Sequence, residues 1–242
     1  IYCQNYEISR LLGASKSWIT RLEDALDVIE SLLGQGVKAV GFVSPSHVVP
    51  QVKAIIRGLH SKGLRPVTVY NTNAYDRPEL VDSLEGLIDV WLPDFKYISE
   101  NTALEYSDAG DYPSVALHAL KRMYYLKGSP LRTDSEGRAE NGMLIRHLVL
   151  PGYAEESIMV LRTIAEELSP GVSVSLMSQY YPTPEVRKHP VLGRALYVSE
   201  YRSVVKEMEK LGFRNGWIQD PESCISYRPD FSREHPFEHG GI

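Results

Sequence analysis

Short apolar runs alternate along this chain with longer stretches whose apolar residues recur at helical spacing. Leu22, Ala25, Leu26, Ile29 and Leu33 recur three and four positions apart, which gathers them on one helical face. Thr20-x-x-Glu23 ahead of them is a capping-box pattern, in which each side chain satisfies a free backbone donor. Gly34 or Gly36 stops the run. Residues 37–43 follow as a strand with little alternation, the pattern expected when both faces are buried. Pro50 opens a second helix with Val52, Ile55, Ile56 and Leu59 on its inner face, and Gly63 ends it. Residues 66–70 predict a strand. Asp76 and Pro78 begin a short helix carrying Leu80, Val81 and Leu84, and residues 88–92 predict a third strand.

The rhythm then loosens. A short helical piece near Ala103 precedes a longer helix with Ala116, Ala119, Leu120 and Met123. Residues 127–142, rich in Gly, Ser, Arg and Glu, read as an exposed, mobile loop. A strand resumes at 143–150 and ends at Pro151-Gly152. A helix with Leu161, Ile164, Ala165 and Leu168 stops at Pro170-Gly171, and residues 172–177 predict a fifth strand. The last clear helix carries Tyr201, Val204, Val205 and Met208. Beyond Gly212 only Trp217-Ile218 suggests a strand before coil. Strand and helix in alternation imply an α/β fold, a parallel sheet covered by helices, open or closed into a barrel. No linker divides residues 1–242. The core reads as about 1–182, with 183–242 a helix and coil extension.

Bulk properties narrow the function classes. The 242 residues are 43% hydrophobic, enough for one core, and the formal net charge of -5 argues against a nucleic-acid footprint. No apolar run reaches the length of a membrane span. Two cysteines, Cys3 and Cys224, make no disulfide framework and fit a reducing compartment, so the expected location is cytoplasmic.

In parallel α/β folds ligands collect at the carboxyl ends of strands. Those ends carry Ser44-Pro45-Ser46-His47, Asn71-Thr72-Asn73 and Asp94-Phe95-Lys96. Arg146 and His147 lie in the fourth strand, and Ser178-Gln179-Tyr180 follow the fifth. Amides, hydroxyls, a carboxylate and cations on successive ends suit a polar ligand with both donors and acceptors. Blander readings stand beside this one. A lone cysteine is commonly a small buried residue. His47 can cap the helix after it. Asp94 and Lys96, two apart on one strand face, can form a structural ion pair, and Arg146 on a buried strand needs an anionic partner in any case. Asn71-Thr72-Asn73 can be only a turn, Tyr180 and Tyr181 only packing, and His189, His235 and His239 suggest nothing.

These strand ends, with the amino-terminal stretch, also carry a resemblance. Tyr2-Cys3-Gln4-Asn5 resembles the end of a cluster-binding loop of the form Cys-x-x-x-Cys-x-aromatic-Cys. Asn71-Thr72-Asn73-Ala74 resembles Asp-Thr-Asn-Gly, Leu92 to Lys96 resembles Leu-Asp-x-Lys, and Arg146 to Gly152 resembles Arg-x-x-x-x-Pro-Gly. The combination, spanning the chain to about Pro182, resembles the radical S-adenosylmethionine (SAM) proteins, near the pyruvate formate-lyase activating enzymes. The resemblance implies a partial (β/α) barrel of radical SAM type whose first strand lies upstream of Ile1. It implies a [4Fe-4S] cluster held by three thiolates, with SAM on the open iron. Cys3 would be one ligand. Tyr2, Asn5, His47, Asn71, Thr72, Asp94, Lys96, Arg146, Gln179 and Tyr180 would bind SAM, with Arg146 on its carboxylate.

It further implies an activase that makes a glycyl radical on a partner enzyme, fed by a flavodoxin or ferredoxin. The chain departs from the pattern in three places. Two of the three cysteines are not in it, Pro45-Ser46-His47 stands for Gly-Gly-Glu, and Asn71 stands for Asp. With one thiolate the 242-residue chain is expected to be inactive. A cluster-free barrel acting on an anionic metabolite through Lys96 and Arg146, or a degenerate protein-binding relative, are the alternatives. Oligomeric state is not legible.

Overall fold

The computed structural model describes residues 1–3 and 20–221. Asn5, Cys224, His235 and His239 lie outside them. In chain order the described elements are α1 (Leu22–Gly34), β1 (Ala39–Val43), a 3-10 turn (Pro45–His47), α2 (Val49–Ser61), β2 (Val67–Thr72), α3 (Pro78–Asp82) and β3 (Val90–Pro93). Then come α4 (Glu100–Ser107), α5 (Tyr112–Lys127), β4 (Arg132–Thr133), β5 (Ala139–Leu148), α6 (Ala154–Glu167), β6 (Ser173–Met177), α7 (Val198–Lys210) and β7 (Gly216–Ile218).

Six strands pair in the order β1-β2-β3-β5-β6-β7, all parallel, and the short β4 runs antiparallel to β5. Spatial order follows chain order, so the winding never reverses. Right-handed crossovers then place the helices on one side of the sheet, as in a barrel rather than a doubly wound fold. Burial agrees. Tyr70, Trp91, Phe95, Ile145, Val174 and Leu176 point into the helical layer and are 0–1% exposed, against Ile56, Leu120, Leu161 and Val204 from the helices. Each such aliphatic or aromatic side chain contributes roughly 1.5–3 kcal/mol by leaving water. Toward the carboxyl ends of the strands their neighbours on the other face, Asn71, Leu92, Asp94, Arg146, Ser175 and Met177, are only half-buried.

Three sequence expectations are corrected by the structure. The Thr20/Glu23 capping box does not form: α1 begins at Leu22 with Arg21 at its N-cap, and no side chain caps it. Glu23 is therefore the second helical residue, one short of the position that reaches back. Strand β1 is not buried on both faces. It sits at the end of the sheet, its burial alternates, and Val43 is 66% exposed. Residues 127–142 are not one loop but a hairpin of β4 and the start of β5. It turns on Asp134, whose carboxylate accepts the backbone N–H groups of Glu136 and Arg138 at 2.9 Å each. Its Gly and Asp content is turn chemistry.

Candidate functional site

Strand register decides which side chains can meet. Asn71 on β2 pairs with Leu92 on β3, and Arg146 on β5 pairs with Asp94 just past β3 and with Ser175 on β6. Alternation then puts Asn71, Leu92, Asp94, Arg146, Ser175 and Met177 on the half-buried face, with Lys96 and Gln179 two residues further along. Thr72, Phe95, His147 and Tyr180 fall on the opposite parity and are buried among the helices. The sequence-predicted group is thus split by the pleat. Thr72 donates its hydroxyl to Asp76 at 2.5 Å, and Tyr180 donates to Leu192 O at 2.6 Å, so neither side chain opens onto the half-buried face.

At the centre of that face is a three-charge cluster. One Asp94 oxygen accepts both Nε and an Nη of Arg146 at 2.7 Å each, and the other accepts Lys96 Nζ at 2.5 Å. Burial alone would raise the Asp94 carboxyl. The Lys96 and Arg146 charges and hydrogen bonds outweigh it and hold the group below the usual carboxylate range. The structural ion pair anticipated for Asp94 and Lys96 is formed, and Arg146 joins it as the second cation. Tyr112, from α5, ties the strand ends beneath the cluster. Its phenol oxygen lies 2.9 Å from Asn73 O and 2.8 Å from Asp94 O, and it accepts the Lys96 N–H at 3.0 Å.

Tyr2, the residue before Cys3, packs next to this rim. Tyr97, the residue after Lys96, donates its phenol to Tyr2 at 2.6 Å, and the Tyr2 ring packs edge-on to Tyr97 and Tyr106 and tilted against Tyr180. Burial, then the Tyr97 charge and hydrogen bond, push the Tyr2 phenol well above its ordinary range. Cys3 next to it is exposed and free. His47 is exposed at the end of the 3-10 turn, and only Ser46 of that turn reaches β2, with its Oγ 3.5 Å from Thr72 Oγ1. Gln179 is engaged with Gln219 past β7: its carbonyl accepts the Gln219 amide at 3.1 Å. Ala74, where the resembled motif has Gly, is held at φ 63 with its methyl fully buried, a left-handed turn that costs an L-residue energy.

Sequence reasoning missed Tyr97 and Tyr112, and it named His147 on the fourth strand without giving it a role. His147 is 2% exposed, its Nδ1 meets Phe95 O at 2.6 Å, and its Nε2 has no partner. Burial pushes its pKa down to about 4. The signal for the tyrosines was compositional, 15 in the chain, but nothing in the spacing said they converge.

Fit to the implied cofactors divides in two. The half-buried face offers cations, an amide and apolar side chains suited to a zwitterionic nucleotide. The cluster is different: among the described residues no group of three or more His, Cys, Asp or Glu is placed to hold a metal, and Cys3 is the single described thiol. These residues alone do not fit a cluster that needs three thiolates.

The strands and helices define an α/β fold, a parallel sheet in the manner of a partial (β/α) barrel. A domain of pyruvate-formate lyase-activating enzyme from Bacteroides vulgatus ATCC 8482 is similar, with a TM-score of 0.52 and 15% identity, covering 75% of this chain and 98% of that domain. In sequence the chain is 27% identical over 214 residues to Uncharacterized protein MJ0674 of Methanocaldococcus jannaschii. The match takes in 87% of this chain and 58% of that relative, so the chain spans little more than half of its length. No protein-family model matches the chain. No helix among the described residues is long and apolar enough to cross a membrane.

Proposed function

We propose that this chain is the SAM-binding barrel of a radical SAM enzyme that acts on a glycine of a partner protein, a glycyl radical enzyme, with a flavodoxin or ferredoxin as electron source. One observation supports the reading above the rest. Asn71, Asp94, Lys96 and Arg146, from the ends of adjoining strands, share one half-buried face, and Tyr2, the residue before Cys3, bonds to Tyr97 next to Lys96.

SAM with a reduced cluster would supply the radical chemistry of such an enzyme. The chain's residues position and shelter. Lys96 and Arg146 would hold the carboxylate of SAM, and Asp94 keeps the two cations oriented while balancing their charge. The Asn71 amide and Gln179 would meet the ribose side, the Tyr2 backbone would meet the adenine, and His47 stands past the end of β1. Leu92, Leu148 and Met177 on the same face exclude water. Cys3 would be one cluster ligand, and the described residues do not by themselves complete the set of three thiolates.

Calorimetric titration of SAM into the chain is the direct test. Binding is expected, weakened at least tenfold by Arg146→Met, about 1.4 kcal/mol for a lost charge-assisted contact. The cluster claim is tested by iron reconstitution of the 242 residues beside a form extended upstream through further cysteines. A stable [4Fe-4S] cluster in the short form would overturn it. An extended form with no SAM affinity would leave the barrel a protein-binding relative instead.

A further inference from the structure

The last strand reaches the candidate site through one amide. Gln219 follows β7 directly, and its backbone N–H donates to Leu176 O on β6 at 3.0 Å. Tyr201 of α7 donates its phenol to the same carbonyl at 2.8 Å, so the backbone here is anchored from two elements. The Gln219 side chain then crosses to the end of β6. Its carbonyl accepts the backbone N–H of Ser178 at 2.8 Å and that of Gln179 at 3.2 Å, and its NH2 donates to the Gln179 side-chain carbonyl at 3.1 Å.

These contacts decide which way two amides point. A backbone N–H can only donate, so the end of Gln219 that meets Ser178 and Gln179 is its oxygen. Its NH2 then faces the Gln179 side chain, and an NH2 needs an acceptor, so Gln179 turns its oxygen to it. The NH2 of Gln179 is thereby held on the other side of its amide. It lies 3.9 Å from the sulfur of Met177, two residues back on the half-buried face that carries Arg146. A thioether is a weak acceptor, and an oxygen or ring nitrogen of a ligand takes those protons in preference. Reversing the Gln179 amide alone would set two donors, and reversing Gln219 alone two acceptors, against each other.

We propose that Gln219 is a positioning residue that holds Gln179 with its NH2 toward the half-buried face, so that this edge of the site reads a hydrogen-bond acceptor of the ligand and rejects a donor. The orientation of the two amides stands by itself. Only the identity of the acceptor, an oxygen on the ribose side, rests on the SAM reading.

The experiment uses the 242-residue chain with Gln219→Glu, a change of nearly the same shape. The carboxylate still accepts the N–H groups of Ser178 and Gln179, but at pH 7 it has no proton to donate. Gln179 then turns its NH2 to the carboxylate and its oxygen to the face. Nuclear Overhauser contacts read this without any ligand. The parent is expected to show one between the Gln179 side-chain NH2 and the Met177 methyl, and Gln219→Glu to lose it. Calorimetry with SAM as the probe reads the consequence. Gln219→Glu is expected to weaken SAM about tenfold, the scale of a donor contact replaced by two facing acceptors. In a Gln179→Ala background the same change is expected to alter affinity by less than about twofold, and this comparison also removes any direct effect of the new charge. A Gln219 that only braces β7 would weaken SAM equally in both backgrounds. A parent lacking the Overhauser contact, or a contact that survives Gln219→Glu, overturns the orientation. Equal losses in the two backgrounds, or a loss in neither, overturn the role in binding. A parent that shows the contact but binds no SAM upholds the orientation and overturns the SAM reading instead.

Discussion

Replacing Asp94 by Asn isolates the contribution of the three-charge cluster. Asp94 receives three close N–H contacts from two cations, and its side chain is 14% exposed, with Lys96 at 31% and Arg146 at 27%. A hydrogen bond to a charged group contributes about 1.5–3 kcal/mol net. Breaking a fully buried pair costs about 3–5 kcal/mol, and an exposed pair only about 0–1. The partial exposure places this cluster between those limits. Asp94→Asn leaves two like charges facing a neutral amide, so the expected loss is about 3 kcal/mol at pH 7. Urea unfolding at pH 7 in low salt measures it.

The sign with pH follows from the depressed Asp94 pKa. The stabilisation is complete above the unfolded carboxyl value of about 3.9, and it disappears as pH falls through the still lower folded value. Parent and variant stabilities therefore converge in strong acid. Adding Lys96→Met to Asp94→Asn recovers part of the loss by removing one stranded cation. A cost under about 0.5 kcal/mol at pH 7, the size of an ordinary surface pair, refutes the reasoning, as does a cost that persists unchanged in acid.

Three other outcomes follow from single contacts. His147, neutral in the fold with a pKa of about 4 against an ordinary 6.5, is protonated first in the unfolded chain, so stability declines from about pH 6.5 to about pH 4 by roughly 3 kcal/mol. His147→Asn flattens that limb of a pH-dependent urea series, and an unchanged slope rejects the assignment. Glu156, on α6, accepts the backbone N–H groups of Ile98 and Ser99 and the Thr102 hydroxyl at 2.8–3.1 Å, so Glu156→Ala costs about 2–3 kcal/mol by thermal or urea unfolding. Gly216 has φ +114, and a methyl there would lie 2.0 Å from Val174 O. Gly216→Ala is expected to cost about 2 kcal/mol and detach β7, seen as new proteolytic cleavage near Trp217.

Much of the path of the chain could be read directly. Pro50 and Gly63 bracket α2, Pro78 starts α3, and Gly212 follows α7, because proline fixes φ and glycine tolerates the left-handed turns at Gly63 and Gly212. The strand ends carrying Asn71, Asp94, Arg146 and Gln179 were found for the same local reason: apolar runs end where polar residues begin. The misplaced features depend on neighbours that a sequence does not show. Whether β1 is central or at an edge depends on which strands pair with it, and the exposed Val43 looks no different in sequence from the buried Val174. The hairpin of β4 depends on a partner strand in the same way.

What the sequence determined by itself was the order of elements and the identity of the groups at the rim. Both are set by short-range rules of periodicity, caps and turn residues. Only the tertiary structure decided which of those groups meet. Parallel register aligns Asp94 with Arg146, 52 positions later, and the pleat turns Thr72 and Tyr180 toward the helices. It also gathers tyrosines as distant as Tyr2 and Tyr97 within hydrogen-bonding reach. Such contacts are selected by the packing of whole elements, whose free energy is shared over many residues, and no local stretch of chain encodes them.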